Sequence, residues 1–209
     1  MLPPEKITSE FLRLLDFIEK PLKLPAGFIA ALIKDDDWSF IIKCHALVEA
    51  GLSKTLSAVL DSRLSKIFQR LELGDSQSGK IVFAEALELV NSKQRKFIRY
   101  LSNMRNSLVH DVRNVAFRLP KYFDELDSNQ RGSFLDAFTS FAPSPAAAAS
   151  WRDFARKDPK IAIWTSTWSF LLQTISDADK AEIGRVRTRL LLHKAKDFDK
   201  IFAQLNKQK

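Results

Sequence analysis

Apolar residues recur along this chain at intervals of three and four, the period of a helix packed on one side. The clearest run is Ser92 to Val115. Phe97, Leu101, Met104, Leu108, Val112 and Val115 form its stripe, and Ser92 stands where an N-cap belongs. Upstream, Phe11, Leu14, Leu15 and Ile18 predict a helix over Thr8 to Lys20, capped by Thr8 or Ser9 and ended by Pro21 and Pro25. A short helical turn over Phe28 to Ile33 leads to Asp35-Asp36-Asp37, carboxylates suited to capping a long central helix from Trp38 to Leu60. Its stripe is Ile41, Val48, Leu52, Leu56 and Val59, with His45 on the stripe and Glu49 one turn further at its edge. Ser62 to Leu73 and Ile81 to Val90 predict two further helices, the second turning Ile81, Ala84, Leu87 and Val90 inward.

Past Pro120, where regular helix should stop, Lys121 to Phe141 predicts two short helices about a turn at Asp127-Ser128-Asn129. Phe134, Phe138 and Phe141 anchor the second, and Ala142 to Ser150 is the most linker-like stretch of the chain. Asp158-Pro159, a cap followed by a first-turn proline, opens a helix carrying Ile161, Trp164, Trp168, Leu171, Leu172 and Ile175. Its tryptophans are read as core or a dimer face in preference to a stacking platform for bases. A last helix over Ala178 to Leu205 gathers Leu191, Ala195, Phe198, Phe202 and Leu205 on one side. Arg185, Arg187, Arg189, Lys194, Lys196 and Lys200 surround that stripe, as a solvated basic face by default or an RNA track otherwise. The expected architecture is an all-α antiparallel helical bundle over residues 1–119, a connection with short helices over 120–150, and additional C-terminal helices over 151–209 that pack on the core or on a dimer partner.

Composition sharpens this picture in three places. A hydrophobic share of 45% over 209 residues suffices for a proper core and excludes a disordered chain. The single Cys44 rules out an intramolecular disulfide; with prolines and charges at Met1 to Lys6 in place of a signal's apolar run, the reading is cytoplasmic. The most membrane-like run, Ile161 to Ile175, carries threonines, serines and a glutamine and is shorter than the about 20 apolar residues a span needs, so no membrane partner is expected. A formal charge of +8 suits a polyanionic partner such as RNA, because Lys and Arg displace counterions from phosphates.

Two pieces of apparent chemistry have plainer readings. Gly74-Asp75-Ser76-Gln77-Ser78-Gly79-Lys80 spells the first seven positions of a phosphate-binding loop, but Ile81 replaces the hydroxyl that would hold magnesium and no apolar strand precedes it. It reads as a helix-to-helix loop. His45 and Glu49, four apart, could be half an acid/base pair; on an apolar face the histidine reads as a packed side chain satisfied by Glu49. Glu49 has a second expected role, holding Arg105 across an antiparallel helix pair. No cluster of His, Cys, Asp and Glu has ligand spacing, so neither a metal nor another cofactor is expected.

Arg105-Asn106-Ser107-Leu108-Val109-His110 carries the strongest signal. Asn103, Asn106, His110 and Arg113 fall on the face opposite the apolar stripe, with Arg105 on its flank, so His110 faces away from the core. An arginine, a polar residue directly after it and a histidine five positions on resembles the motif of HEPN domains, all-α modules that include many metal-independent RNases. The resemblance covers about Trp38 to Leu119. It implies a homodimer in which two copies of the motif meet at one RNA-cleaving site. Arg105 and His110 lie roughly 140° apart on an ideal helix. Either the helix ends or bends near His110, or a second subunit supplies the missing group.

The resemblance implies an endoribonuclease working by attack of a 2′-hydroxyl on its neighbouring phosphate. Arg105 would hold the phosphate oxygens as a permanently charged fork. His110 would move a proton, an imidazole's ordinary pKa of about 6.5 allowing either direction. Asn106 would orient imidazole or phosphate, with Asp111, Arg113 and Glu49 in support. Toxin–antitoxin or defence systems are the setting it implies, with an antitoxin as protein partner. The helix order, with paired helices ending in Arg-x4-His-Asp and long C-terminal helices, is also similar to the mannitol operon repressor family. That likeness implies transcriptional regulation through a protein partner without cleavage.

Overall fold

The structure is a computed structural model that describes the backbone of residues 4–206 apart from 76 and 143, and the side chains of residues 9–192 apart from 76, 112 and 143. Within them the chain is all-α. Ten helices follow in order: α1 (Pro4–Glu19), α2 (Phe28–Ala31), α3 (Asp37–Val59), α4 (Ser65–Arg70), α5 (Lys80–Ala86), α6 (Ser92–Val109), α7 (Leu119–Glu125), α8 (Ser128–Phe138), α9 (Pro145–Lys157) and α10 (Pro159–Asn206). Among the described residues no helix is long and apolar enough to cross a membrane.

The pair α3 and α10 forms the spine. Asp36 caps α3, its carboxylate accepting from Ser39 N at 2.9 Å. Lys160, near the start of α10, pairs with Asp37 at 3.0 Å, while Thr55 Oγ1, near the end of α3, donates to Thr174 O at 2.8 Å. The two axes therefore run parallel. They approach closely because Gly51 has no side chain: a Cβ there would lie 2.8 Å from Leu171 Cδ2 and 3.1 Å from Thr174 Oγ1. α6 runs antiparallel to α3, with Trp38 Nε1 donating to Leu108 O at 3.2 Å and His45 meeting Ser102. Phe97 of α6, Phe134 and Phe138 of α8 and Phe170 of α10 fill the space between them, all essentially buried. Their rings meet tilted or edge-on at 4.7–5.8 Å, the arrangement aromatic quadrupoles prefer. Each such side chain withdrawn from water contributes roughly 1.5–3 kcal/mol before entropy is counted.

Several boundaries differ from the sequence expectation for identifiable reasons. α1 begins at Pro4, which places Ser9 inside the helix; the Thr8 side chain lies outside the described residues. α2 begins at Phe28 after the cap Gly27, whose φ of 77° suits glycine, and the free amides of Gly27 and Ile29 are taken by the buried carboxylate of Glu19 at 2.8 and 2.7 Å. α5 stops at Ala86, ahead of Glu88 in the left-handed region. The linker-like stretch instead starts α9, because Ser144 caps it, Pro145 occupies its first turn and the alanines that follow are strong helix formers. The short helices of residues 120–150 are part of the core through Phe123, Phe134, Leu135 and Phe138.

The two C-terminal helices are one. Nothing in Ser176-Asp177-Ala178 breaks a helix, so α10 runs unbroken from Pro159 to Asn206. Trp164 and Trp168 pack on Phe11 of α1, and Trp164 Nε1 donates to Ile29 O at 2.7 Å. Arg187 and Arg189 are exposed and Arg185 is half-buried. The side chains of Lys194, Ala195, Lys196, Phe198, Lys200, Phe202 and Leu205 lie outside the described residues.

Candidate functional site

The motif helix α6 is fixed at both ends. Asn91, one residue before the expected cap, accepts from Lys93 N and Gln94 N, each at 3.0 Å, and Gln94 Oε1 accepts from Asn91 N at 2.8 Å. Gln94 also donates to Gln173 Oε1 at 2.6 Å, tying the first turn to α10. The buried face is Phe97, Ile98, Leu101, Ser102, Met104 and Leu108. The expected stripe ends there. Val115 is 54% exposed, and the Val112 side chain lies outside the described residues.

The helix ends at Val109, with His110 as its exposed C-cap. Two of the carbonyls left without helical donors are satisfied from outside, Leu108 O by Trp38 Nε1 and Ser107 O by Asn114 Nδ2 at 2.9 Å. Asp111 turns extended and caps the next turn, Val112–Ala116, through Arg113 N at 2.9 Å. Its carboxylate also binds the Arg113 guanidinium at 2.6 Å. These hydrogen bonds hold the Asp111 carboxyl below the usual carboxylate range and raise the Arg113 guanidinium. Asp111 and Arg113 are therefore engaged with each other. His110 keeps helical backbone angles (φ −81°, ψ −12°) as the C-cap, so its roughly 140° separation from Arg105 around the helix remains, and the two side chains share the rim of a cleft without touching each other.

Arg105, Asn106 and His110 line one cleft of about 440 Å³, together with Asn103 and Arg99. Arg105 Nη1 donates to Asn106 Oδ1 at 3.0 Å, which sets the fork against the amide. Arg99 is an addition to the expected set. Its spacing could have found it, since Arg99, Asn103, Asn106 and His110 recur at four, three and four along the face opposite the core. Glu72 and Asp75 stand on the opposite wall, so the cleft carries both signs of charge.

His45 is buried at the floor of this cleft, 9% exposed, its Nε2 3.3 Å from Ser102 Oγ. Burial lowers its pKa from 6.5 to about 4, against the pull of Glu49 and with the Arg105 charge adding to the fall. It is the packed histidine expected, but its hydrogen-bond partner is Ser102 in place of Glu49.

Glu49 is engaged elsewhere. The lysine of the false phosphate loop, Lys80, opens α5 with its side chain sealed from water, and its ammonium donates to Glu49 Oε1 and Leu71 O, each at 2.5 Å. The expected Glu49 contact to Arg105 is thereby replaced. The loop itself is closed by Asp75, whose carboxylate accepts from Gln77 N and Ser78 N at 2.9 and 2.6 Å. Its carbonyl crowds Gly79, where a Cβ would sit 2.4 Å from Asp75 O. Neither the lysine nor the glycine is free to hold a phosphate. Among the described residues no group of three or more His, Cys, Asp or Glu is placed to hold a metal ion.

Compared with family models, curated proteins and solved structures, the chain matches none.

Proposed function

We propose that this protein is a metal-independent endoribonuclease of HEPN type that cleaves single-stranded RNA by 2′-hydroxyl transesterification at a homodimer interface. The observation that carries the reading is the convergence of Arg105, Asn106 and His110 on one cleft of about 440 Å³ at the end of a capped helix. In this reading the 2′-oxygen forms a bond to phosphorus as the bond to the 5′-oxygen breaks, leaving a cyclic phosphate and a free 5′-hydroxyl. Arg105 binds the non-bridging oxygens, whose charge grows in the transition state. His110, exposed at the rim, takes the proton of the attacking 2′-hydroxyl, and His110 of the second copy or a water molecule gives one to the departing 5′-oxygen. Asn106 holds the guanidinium in place through its side-chain oxygen, and Arg99 draws the polyanion toward the cleft.

A regulatory, non-cleaving module like the mannitol operon repressor family is the second reading. It is favoured by Glu72 and Asp75, acidic groups that share the cleft with the arginines and suit a mixed-charge protein surface better than a polyanion.

Incubation of the purified chain with single-stranded RNA in EDTA separates the two. The nuclease reading expects cleavage that is lost in both His110→Ala and Arg105→Ala, with cyclic phosphate ends on the product. Intact RNA under all conditions, with both variants folded, leaves the regulatory reading.

A further inference from the structure

The loop between α4 and α5, whose spelling suggests phosphate binding, brings the opposite charge to the cleft. Glu72 and Asp75 stand across from Arg99 and Arg105. Main-chain bonds hold this wall: Glu72 O accepts from Lys80 N at 2.8 Å and Leu73 O from Ile81 N at 3.2 Å, with the Leu73 side chain buried. Gly74 lies so close to the motif helix that a Cβ there would be 3.0 Å from both Ser102 Cβ and Ser102 Oγ. The acidic wall is therefore seated directly on α6.

Opposite charges face each other here without meeting. Among the described residues no ion pair joins the two walls, and the Glu72 carboxylate has no partner. Asp75 differs, since its Oδ1 already accepts from Gln77 N, Ser78 N and Ser78 Oγ to close the loop. The floor between the walls is uncharged, because burial pushes the His45 imidazole down to about 4 and its Nε2 meets Ser102 Oγ. A ligand that bridges this gap is anionic at one end and presents uncharged N–H donors at the other. A nucleotide has that form. Small-molecule sites span about 300–1,000 Å³, so a cleft of about 440 Å³ has room for one.

We propose that the cleft selects guanosine on the 5′ side of the scissile phosphate, with Glu72 reading the base while Arg105 holds the phosphate. This rests on the ribonuclease reading of the same cleft. The Watson–Crick edge of guanine carries N1–H and the N2 amino group side by side, two donors that the two oxygens of one carboxylate accept together. Cytosine and adenine each offer one amino group beside an acceptor nitrogen, and uracil one N–H between two carbonyls, so each sets a lone pair against the carboxylate. The 5′ side follows from the chemistry. That nucleoside owns the attacking 2′-hydroxyl, so gripping its base and its phosphate aligns the attack. The acidic groups that suit a protein surface in the regulatory reading then have a use in this one: they repel phosphates from their wall and leave it to a base.

Binding and cleavage test this separately. Fluorescence anisotropy on the full chain uses short labelled oligouridine strands with one central guanosine, inosine or uridine, each 2′-deoxy at that nucleotide so that no attack can occur there. Guanine is expected to bind about tenfold or more tighter than uracil and than hypoxanthine, the base of inosine, which lacks only the N2 amino group. Glu72→Gln should bring both ratios close to one with unchanged circular dichroism, because Glu72 is exposed and its side chain makes no bond among the described residues. Equal binding of the three strands by wild type overturns the inference, as does a guanine preference that survives Glu72→Gln, or no binding at all. The matching all-ribose strands report cleavage, expected to leave guanosine 2′,3′-cyclic phosphate ends. Breaks spread evenly over the bases overturn the inference and leave the ribonuclease reading standing. Guanine-selective binding beside intact RNA upholds the Glu72 contact and removes the ribonuclease reading.

Discussion

Removing either member of the Lys80–Glu49 pair should destabilise the protein, and by unequal amounts. The Lys80 side chain is 1% exposed and that of Glu49 32%. Glu49→Ala strands an ammonium in the interior with only Leu71 O as acceptor, the situation in which breaking a buried ion pair costs about 3–5 kcal/mol. Lys80→Met keeps a stem of similar length in the same slot and leaves a carboxylate that already reaches water. The expected loss is about 1–2 kcal/mol, made up of a lost pair and a lost donor to Leu71 O. The combined variant should fall well short of the sum, because the second substitution removes a partner that is already missing. Urea unfolding followed by tryptophan fluorescence and far-ultraviolet dichroism measures all three against wild type. A Lys80→Met variant as damaged as Glu49→Ala, or strict additivity, would refute the burial argument. Thermal melts with and without ATP accompany the series. Because Lys80 is a structural ion-pair partner, ATP should shift neither wild type nor Lys80→Met.

Three further outcomes follow from single sites. His45 is neutral in the folded protein down to about pH 4 but binds a proton near 6.5 when unfolded. Stability should therefore fall as pH drops from about 6.5 to 4, by up to about 2–3 kcal/mol, and His45→Gln should flatten that part of the unfolding-midpoint profile. Asn91→Ala should cost about 1 kcal/mol and speed amide exchange at Lys93 and Gln94, whose N–H groups the Asn91 side chain accepts. Gly132 lies inside α8 with open space where a methyl group would sit, so Gly132→Ala should raise stability by about 0.5–1 kcal/mol in the same urea assay.

The periodic stripes, the caps of α3 and α10 and the prolines that follow α1 are legible in the sequence alone, because they depend on neighbours within a turn or two of the chain, whereas the expected cap Ser92 lies one residue past the true one and Pro120 stands in the first turn of α7. Phe97, Leu101, Met104 and Leu108 sit inward in α6, Asp36 caps α3, and Asp158-Pro159 opens α10. Arg105, Asn106 and His110 can be set on their helix in the same way. What spacing leaves open is where that helix stops. Trp38 and Asn114, distant in sequence or beyond the helix end, take carbonyls of its last turn, and Asp111 starts a new one. Partner choice is equally nonlocal. Glu49 has two candidates nearby in sequence pattern, His45 and Arg105, yet it joins Lys80, 31 residues away, from a loop whose spelling suggests phosphate binding. Ion pairs in three dimensions are decided by which helices pack, and the packing of α5 on α3 sets Lys80 against Glu49. The exposed aliphatic residues of α10 are the converse case: Ile183, Val186, Leu190 and Leu191 are core residues by type, and only the tertiary structure shows that α3 ends too soon to cover them.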